Sequence, residues 1–160
     1  EVSPMNEVIG DGIIKEEKVA ATVQKELSVL IADDSSVARK QIKRCVEKLG
    51  INTHVVNDGK QALDHLKELV EQGINPTERY VLLISDIEMP EMDGYTLTAS
   101  IRDDPRLASL YVVLHTSLSG IFNQAMVEKV GANDFLAKFK PDELATLVQT
   151  RIDAVLGMDA

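Results

Sequence analysis

Three short apolar runs, SVLIA at 28–32, VLLIS at 81–85 and YVVLH at 111–115, constrain the fold more than any other feature of the chain. They are too uniformly apolar for strands with one wet face and too short for helices. They therefore read as strands buried on both faces of a parallel sheet. NTHVV at 52–56 and DFLA at 134–137 are two weaker candidates. Between the runs, apolar residues recur at three- and four-residue steps: Ala38, Ile42, Cys45, Val46 and Leu49 form one stripe, and Ala62, Leu63, Leu66 and Leu69 a second. That spacing marks helices with one buried face. Leu144, Leu147, Val148, Ile152 and Val155 mark a last helix, opened by Pro141 with Asp142 and Glu143 in its first turn. Proline is tolerated there and acids complement the helix dipole. Shorter helices are expected over 94–101 and 121–130, the latter closed by Gly131.

Strand and helix thus alternate five times, an order that requires a doubly wound parallel α/β sheet with right-handed crossovers and helices on both faces. A binding site belongs outside the carboxyl ends of its strands. One core suffices for 160 residues of which 44% are hydrophobic and 27% charged. Residues 1–27 stand apart as a linker with a short helical pattern at Val19, Ala20, Val23 and Leu27, after the breaker Gly10-Asp11-Gly12. The folded domain is expected over 28–157. The chain opens on Glu1 rather than Met and has no basic-then-apolar leader, which fits a fragment or a processed product.

Charge and cysteine content narrow the function classes. A net charge of -9 without a basic stripe disfavours nucleic acid as a direct partner. Cys45 is the single cysteine, so an internal disulfide and a four-thiolate metal site are excluded, and a reducing, cytoplasmic compartment fits. No apolar run approaches the roughly 20 residues of a membrane span.

At the carboxyl ends of the expected strands stand Asp33 and Asp34, Asp86, Thr116 and Ser117, and Lys138. Singly, each has an ordinary use: Asp33-Asp34-Ser35-Ser36, for instance, can supply a helix cap. Jointly, three carboxylates at one sheet edge repel one another and must take up protons or a cation. An all-oxygen donor set with few protein ligands suits Mg²⁺. A carboxylate beside such an ion can attack phosphorus, with a lysine offsetting charge on the transferred group. Asp86, alone at the end of the central strand, is the best-placed nucleophile; Lys138 would pair with the phosphoryl group and the Thr116 hydroxyl would donate a hydrogen bond to it.

The motifs LIADDSS, LLISDIEMPEMDG, VVLHTS and GANDFLAK resemble those of two-component response regulator receiver domains over about residues 28–157. The resemblance implies a flavodoxin-like or CheY-like five-stranded fold with strand order 2-1-3-4-5. It implies Asp86 as phosphoacceptor, Asp33, Asp34 and Asp86 as Mg²⁺ ligands together with the Glu88 backbone carbonyl, and Thr116 and Lys138 as the switch pair. Phe135 occupies the position of the aromatic residue that rotates inward on phosphorylation. The implied role is signalling, in which the protein catalyses only its own phosphorylation and dephosphorylation. The wording SDIEMPEMDGYTLT with GANDFLAKFKPDEL is most similar to the receiver half of CheV-type chemotaxis coupling proteins. In that family a CheW-like domain precedes the receiver and links chemoreceptors to a histidine kinase of the CheA type; residues 1–27 would then be its trailing linker. The other outcome is a free-standing receiver that binds a flagellar motor or another target.

One departure concerns the residue after Lys138. Receivers usually place proline there in a cis bond, whereas this chain has Phe139, for which a cis bond costs about 2.5–4 kcal/mol. Either a trans bond with a re-routed loop or a strained cis bond is expected. Two rival classes fit poorly. A haloacid-dehalogenase-type phosphatase needs DxDx[T/V] after its first strand, and Asp86-Ile87-Glu88-Met89 follows the third and lacks the second acid. A nucleotide-binding domain needs a glycine-rich phosphate loop, where this chain has Ala32-Asp33-Asp34-Ser35. His54, His65 and His115 read as structural, as do Met89 and Met92.

Overall fold

A computed structural model describes residues 27–117, 121–138 and 140–157. All of the expected 1–27 linker except Leu27, and the Lys138–Phe139 bond, lie outside the described residues. Five strands, β1 (Ser28–Ala32), β2 (Asn52–Val56), β3 (Tyr80–Ser85), β4 (Val112–Thr116) and β5 (Asp134–Ala137), form one sheet in the order β2-β1-β3-β4-β5, parallel at every pairing. The helices between and after them are α1 (Ser36–Glu47), α2 (Gly59–Glu71), α3 (Gly94–Asp103), α4 (Ile121–Val130) and α5 (Pro141–Leu156), with one extra helical turn at Pro76–Arg79. This is the expected architecture and strand order.

Side-chain alternation along the strands divides the core into two layers. Val29 and Ile31 of β1 and Leu82 and Ile84 of β3 pack with Ile42 and Val46 of α1 and Val148 and Ile152 of α5. Leu30 and Ala32, with Leu83 and Leu114, face Leu66 of α2, Leu97 and Ile101 of α3 and Val127 of α4. β1, β3 and β4 are buried almost throughout because helices cover both of their faces. The edge strands β2 and β5 are half exposed, which is why their sequences signal more weakly.

The boundaries differ from expectation in physical detail. β3 begins one residue earlier, at buried Tyr80, and β4 runs from Val112 to Thr116 instead of 111–115. Tyr111 lies before the strand, beneath the Arg151 guanidinium at 4.6 Å. Val155 is 43% exposed and does not share the buried face of α5; Leu156 packs there instead. The turn at Pro76–Arg79 has proline at its start and an Asn75 cap, but no apolar stripe to reveal it.

Candidate functional site

Asp33, Asp86 and Lys138 are each placed by a backbone bond to the neighbouring strand. The Asp86 N–H donates to the Ala32 carbonyl at 2.8 Å, which fixes the end of β3 against the end of β1. The Asp33 N–H reaches the Val56 carbonyl at 3.2 Å, and the Lys138 N–H reaches the Thr116 carbonyl at 2.8 Å. The loop after Asp86 is folded back on itself: the Gly94 N–H donates to the Ile87 carbonyl at 2.8 Å and the Gly59 N–H to the Met92 carbonyl at 3.1 Å. A Cβ on Gly94 would overlap the Asp86 carbonyl oxygen, so only glycine lets α3 start so close to the strand end. Asp93 then caps α3 by accepting from the Thr96 N–H at 2.7 Å. Met89 and Met92 pack against the core below, as their apolar character suggests.

Asp33, Asp34 and Asp86 converge, with one carboxylate oxygen from each lying within 4.8 Å of the others. Asp33 and Asp86 are buried and Asp34 is exposed, so the cluster opens to solvent on one side. Lys138 spans the two buried acids, with Nζ 3.0 Å from Asp33 Oδ2 and 3.2 Å from Asp86 Oδ2. The remaining oxygens accept from the backbone: Asp33 Oδ1 from Ser35 N–H at 2.9 Å and Asp86 Oδ1 from Ile87 N–H at 2.8 Å. Ser35, not Asp33, caps α1 by accepting from the Ala38 N–H.

Burial, and then the charge of Asp33, push the Asp86 carboxyl up to about 6, against the pull of Lys138 and the Ile87 N–H. Burial also works against the charge of Lys138, but Asp33 and Asp86 more than compensate and its pKa is raised. One ammonium thus faces three carboxylates, and the excess negative charge favours an added cation. A donor set made only of oxygens, two of them buried and one open to water, fits a hard divalent ion. The sequence-predicted residues Asp33, Asp34, Asp86 and Lys138 therefore meet in one place. Thr116 is buried at the end of β4 and bonded through its backbone to Lys138. Phe135 is half-buried on β5 against the α2–α4 layer, and the Glu88 side chain is exposed.

Two groupings had no sequence signal. His54 and His65 stack at 4.2 Å, and His65 Nε2 lies 2.6 Å from the Tyr80 hydroxyl, so these histidines have the partners that their scattered positions hid. Arg102 gathers four oxygens from the segments that lead into β4 and β5: its Nε donates to the Gly131 carbonyl, Nη1 to those of Ala108 and Leu110, and Nη2 to Asn133 Oδ1.

Fold and site together define a doubly wound α/β domain with an acidic, lysine-bridged cluster at the carboxyl edge of its central strands. Residues 29–149 match the response regulator receiver domain, and the chain belongs to that family. It is 32% identical over 129 residues to the chemotaxis protein CheV3 of Helicobacter pylori, covering 80% of this chain and 42% of that protein. It is 27% identical to the protein PilG of Pseudomonas aeruginosa, covering 84% and 93% respectively. The chain thus spans about two-fifths of CheV3 but nearly all of PilG. A crystal structure of the signal receiver domain of a signal transduction histidine kinase from Syntrophus aciditrophicus superposes with a TM-score of 0.68 at 32% identity, covering 80% of this chain and 91% of that one. Among the described residues no helix is long and apolar enough to cross a membrane.

Proposed function

We propose that this chain is a chemotaxis receiver that takes a phosphoryl group onto Asp86 from the phosphohistidine of a CheA-type kinase. The observation that carries this reading is the setting of Asp86: a buried carboxylate at the end of the central strand, with a lysine ammonium 3.2 Å away and two further carboxylates beside it. In the transfer, an Asp86 carboxylate oxygen forms a bond to phosphorus while the phosphorus–nitrogen bond to the kinase imidazole breaks. The product is an acyl phosphate and the imidazole leaves with the electron pair. Asp33, Asp34, Asp86 and the Glu88 carbonyl would hold Mg²⁺, which supplies charge compensation for the phosphoryl oxygens.

Lys138 is free to exchange its contact with Asp86 for one with the phosphoryl group, since its ammonium is anchored independently by Asp33. The Thr116 hydroxyl supplies a neutral hydrogen bond to the same group, and its backbone bond to Lys138 lets a shift at β4 reach β5. Phe135, half-buried on that strand, is the side chain we assign to respond. Similarity to CheV3 supports a coupling role in which the receiver tunes a receptor–kinase assembly through a CheW-like domain. The near full-length match to PilG favours a second reading, a free-standing receiver acting on another target such as a flagellar motor.

The purified chain incubated with acetyl phosphate and Mg²⁺ is expected to gain the mass of one phosphoryl group, lost again on treatment with hydroxylamine. Asp86→Asn is expected to fold normally and gain nothing. Equal labelling of that variant, or no labelling of the parent, would remove Asp86 from this role. Transfer from a phosphorylated CheA-type kinase, followed by radiolabel, tests the donor separately.

A further inference from the structure

Beside Lys138, α1 and the start of α5 line a cavity of about 540 Å³ that is partly open to solvent. Sites for small organic ligands commonly hold roughly 300–1,000 Å³. Ile42 of α1 and Leu144 of α5, both buried, form apolar walls. His115, only 5% exposed, lines it from β4, and its Nδ1 has no hydrogen-bond partner among the described residues. A buried polar atom without a partner is costly to the fold, so a ligand group that meets it gains a directed interaction. The imidazole is neutral, because burial and then the Lys138 charge push its pKa down to about 4. It can therefore present a donor or an acceptor, according to tautomer.

The charge around the cavity is opposite to that of the whole chain. Arg44 and Lys48, exposed on α1, and Lys140, just before α5, border it, and Asp142 is the one acid among the described residues that line it. Among the described residues, Arg44 and Lys48 have no ion-pair partner, and Lys140 has only an exposed contact to Glu143 at 3.9 Å. The fourth cation, Lys138, is already committed to Asp33 and Asp86. On a chain of net charge -9, three available cations beside an apolar cavity select for an anion with an apolar body.

We propose that this cavity binds a small amphipathic organic acid, its apolar body between Ile42 and Leu144, its anionic head at Arg44, Lys48 and Lys140, and a polar atom of its body on His115. The site stands on its own geometry and does not depend on the chemistry assigned to Asp86.

The probe pair 8-anilinonaphthalene-1-sulfonate and N-phenyl-1-naphthylamine tests this on the full 160-residue chain, because the two share a ring system and differ in charge. The anion is expected to bind at one saturable site at least about tenfold more tightly than the neutral amine, and to be displaced by octanoate, with amide shifts at Ala38, Cys45 and Ala145. The double variant Arg44→Ala, Lys48→Ala is expected to weaken the anion about tenfold and leave the amine unchanged, as loss of partly exposed charge–charge contacts predicts. Ala145→Trp, at a half-exposed position on the cavity wall, is expected to abolish both. Non-saturable binding, equal affinity for the two probes, amide shifts confined elsewhere, or an unchanged affinity in either variant would each overturn the proposal.

Discussion

Asp86 is the residue whose environment says most about its state. Its carboxyl is raised from 3.8 to about 6 by burial first and by Asp33 second. Between those two values the folded protein binds more protons than the unfolded chain, so stability declines as pH rises through about 6. Ionised Asp86 is thus a cost to the fold when no divalent ion is present, even with Lys138 alongside. Asparagine has nearly the same shape and cannot ionise. Without Mg²⁺, Asp86→Asn is therefore expected to stabilise the domain by on the order of 1–3 kcal/mol at pH 7.5 and to make little difference near pH 4. Urea unfolding of parent and variant at both pH values checks this. A variant less stable than the parent at pH 7.5 would mean that the Lys138 contact outweighs burial.

At the scale of elements, the central strands are legible in sequence because helices cover both faces, leaving unbroken apolar runs. The edge strands are half exposed and so alternate or blur. Asp33, Asp34, Asp86, Thr116 and Lys138 can be located in advance because the topology brings all strand ends to one edge, whichever helices intervene. Contacts made by long side chains across elements leave no such trace. Arg102 is spaced as an ordinary polar residue on α3, yet its guanidinium joins Gly131, Ala108, Leu110 and Asn133. Asn133 Oδ1 also accepts from the Val112 N–H at 2.7 Å, so the same knot ties α3 to the starts of β4 and β5. Arg102→Ala is expected to lower stability by roughly 1.5–3 kcal/mol, the range for hydrogen bonds to a charged group. Arg102→Lys should recover less than half of that, because an ammonium lacks the planar fork. Denaturant midpoints measure the cost, and hydrogen exchange should show the loss concentrated at residues 133–137. A uniform loss across the sheet would argue that Arg102 acts on the whole core instead.

For the whole molecule, the acidic cluster couples the sheet's centre to its edge. Asp33 and Asp34 follow β1, Asp86 follows β3, and Lys138 follows β5, so one group of charges sits across three strands. A cation that binds these carboxylates in the folded state and not in the unfolded chain stabilises the domain by RT ln(1 + [L]/Kd). Each tenfold increase in Mg²⁺ above its Kd is then worth about 1.4 kcal/mol. Protons compete at Asp86, so this gain should shrink as pH falls below about 6. The Asn variant makes the test two-sided: Asp86→Asn is expected to be more stable than the parent without Mg²⁺ and to gain much less from it, so the stability order reverses during a Mg²⁺ titration. Thermal unfolding across that titration at pH 7.5 and pH 5 reads both effects. A parent that gains nothing at pH 7.5, or a variant that gains as much as the parent, would show that the carboxylates converge without acting as a metal site. In that case the charge of Asp86 would be balanced by Lys138 alone, and the acidic edge would need another explanation for keeping two buried acids side by side.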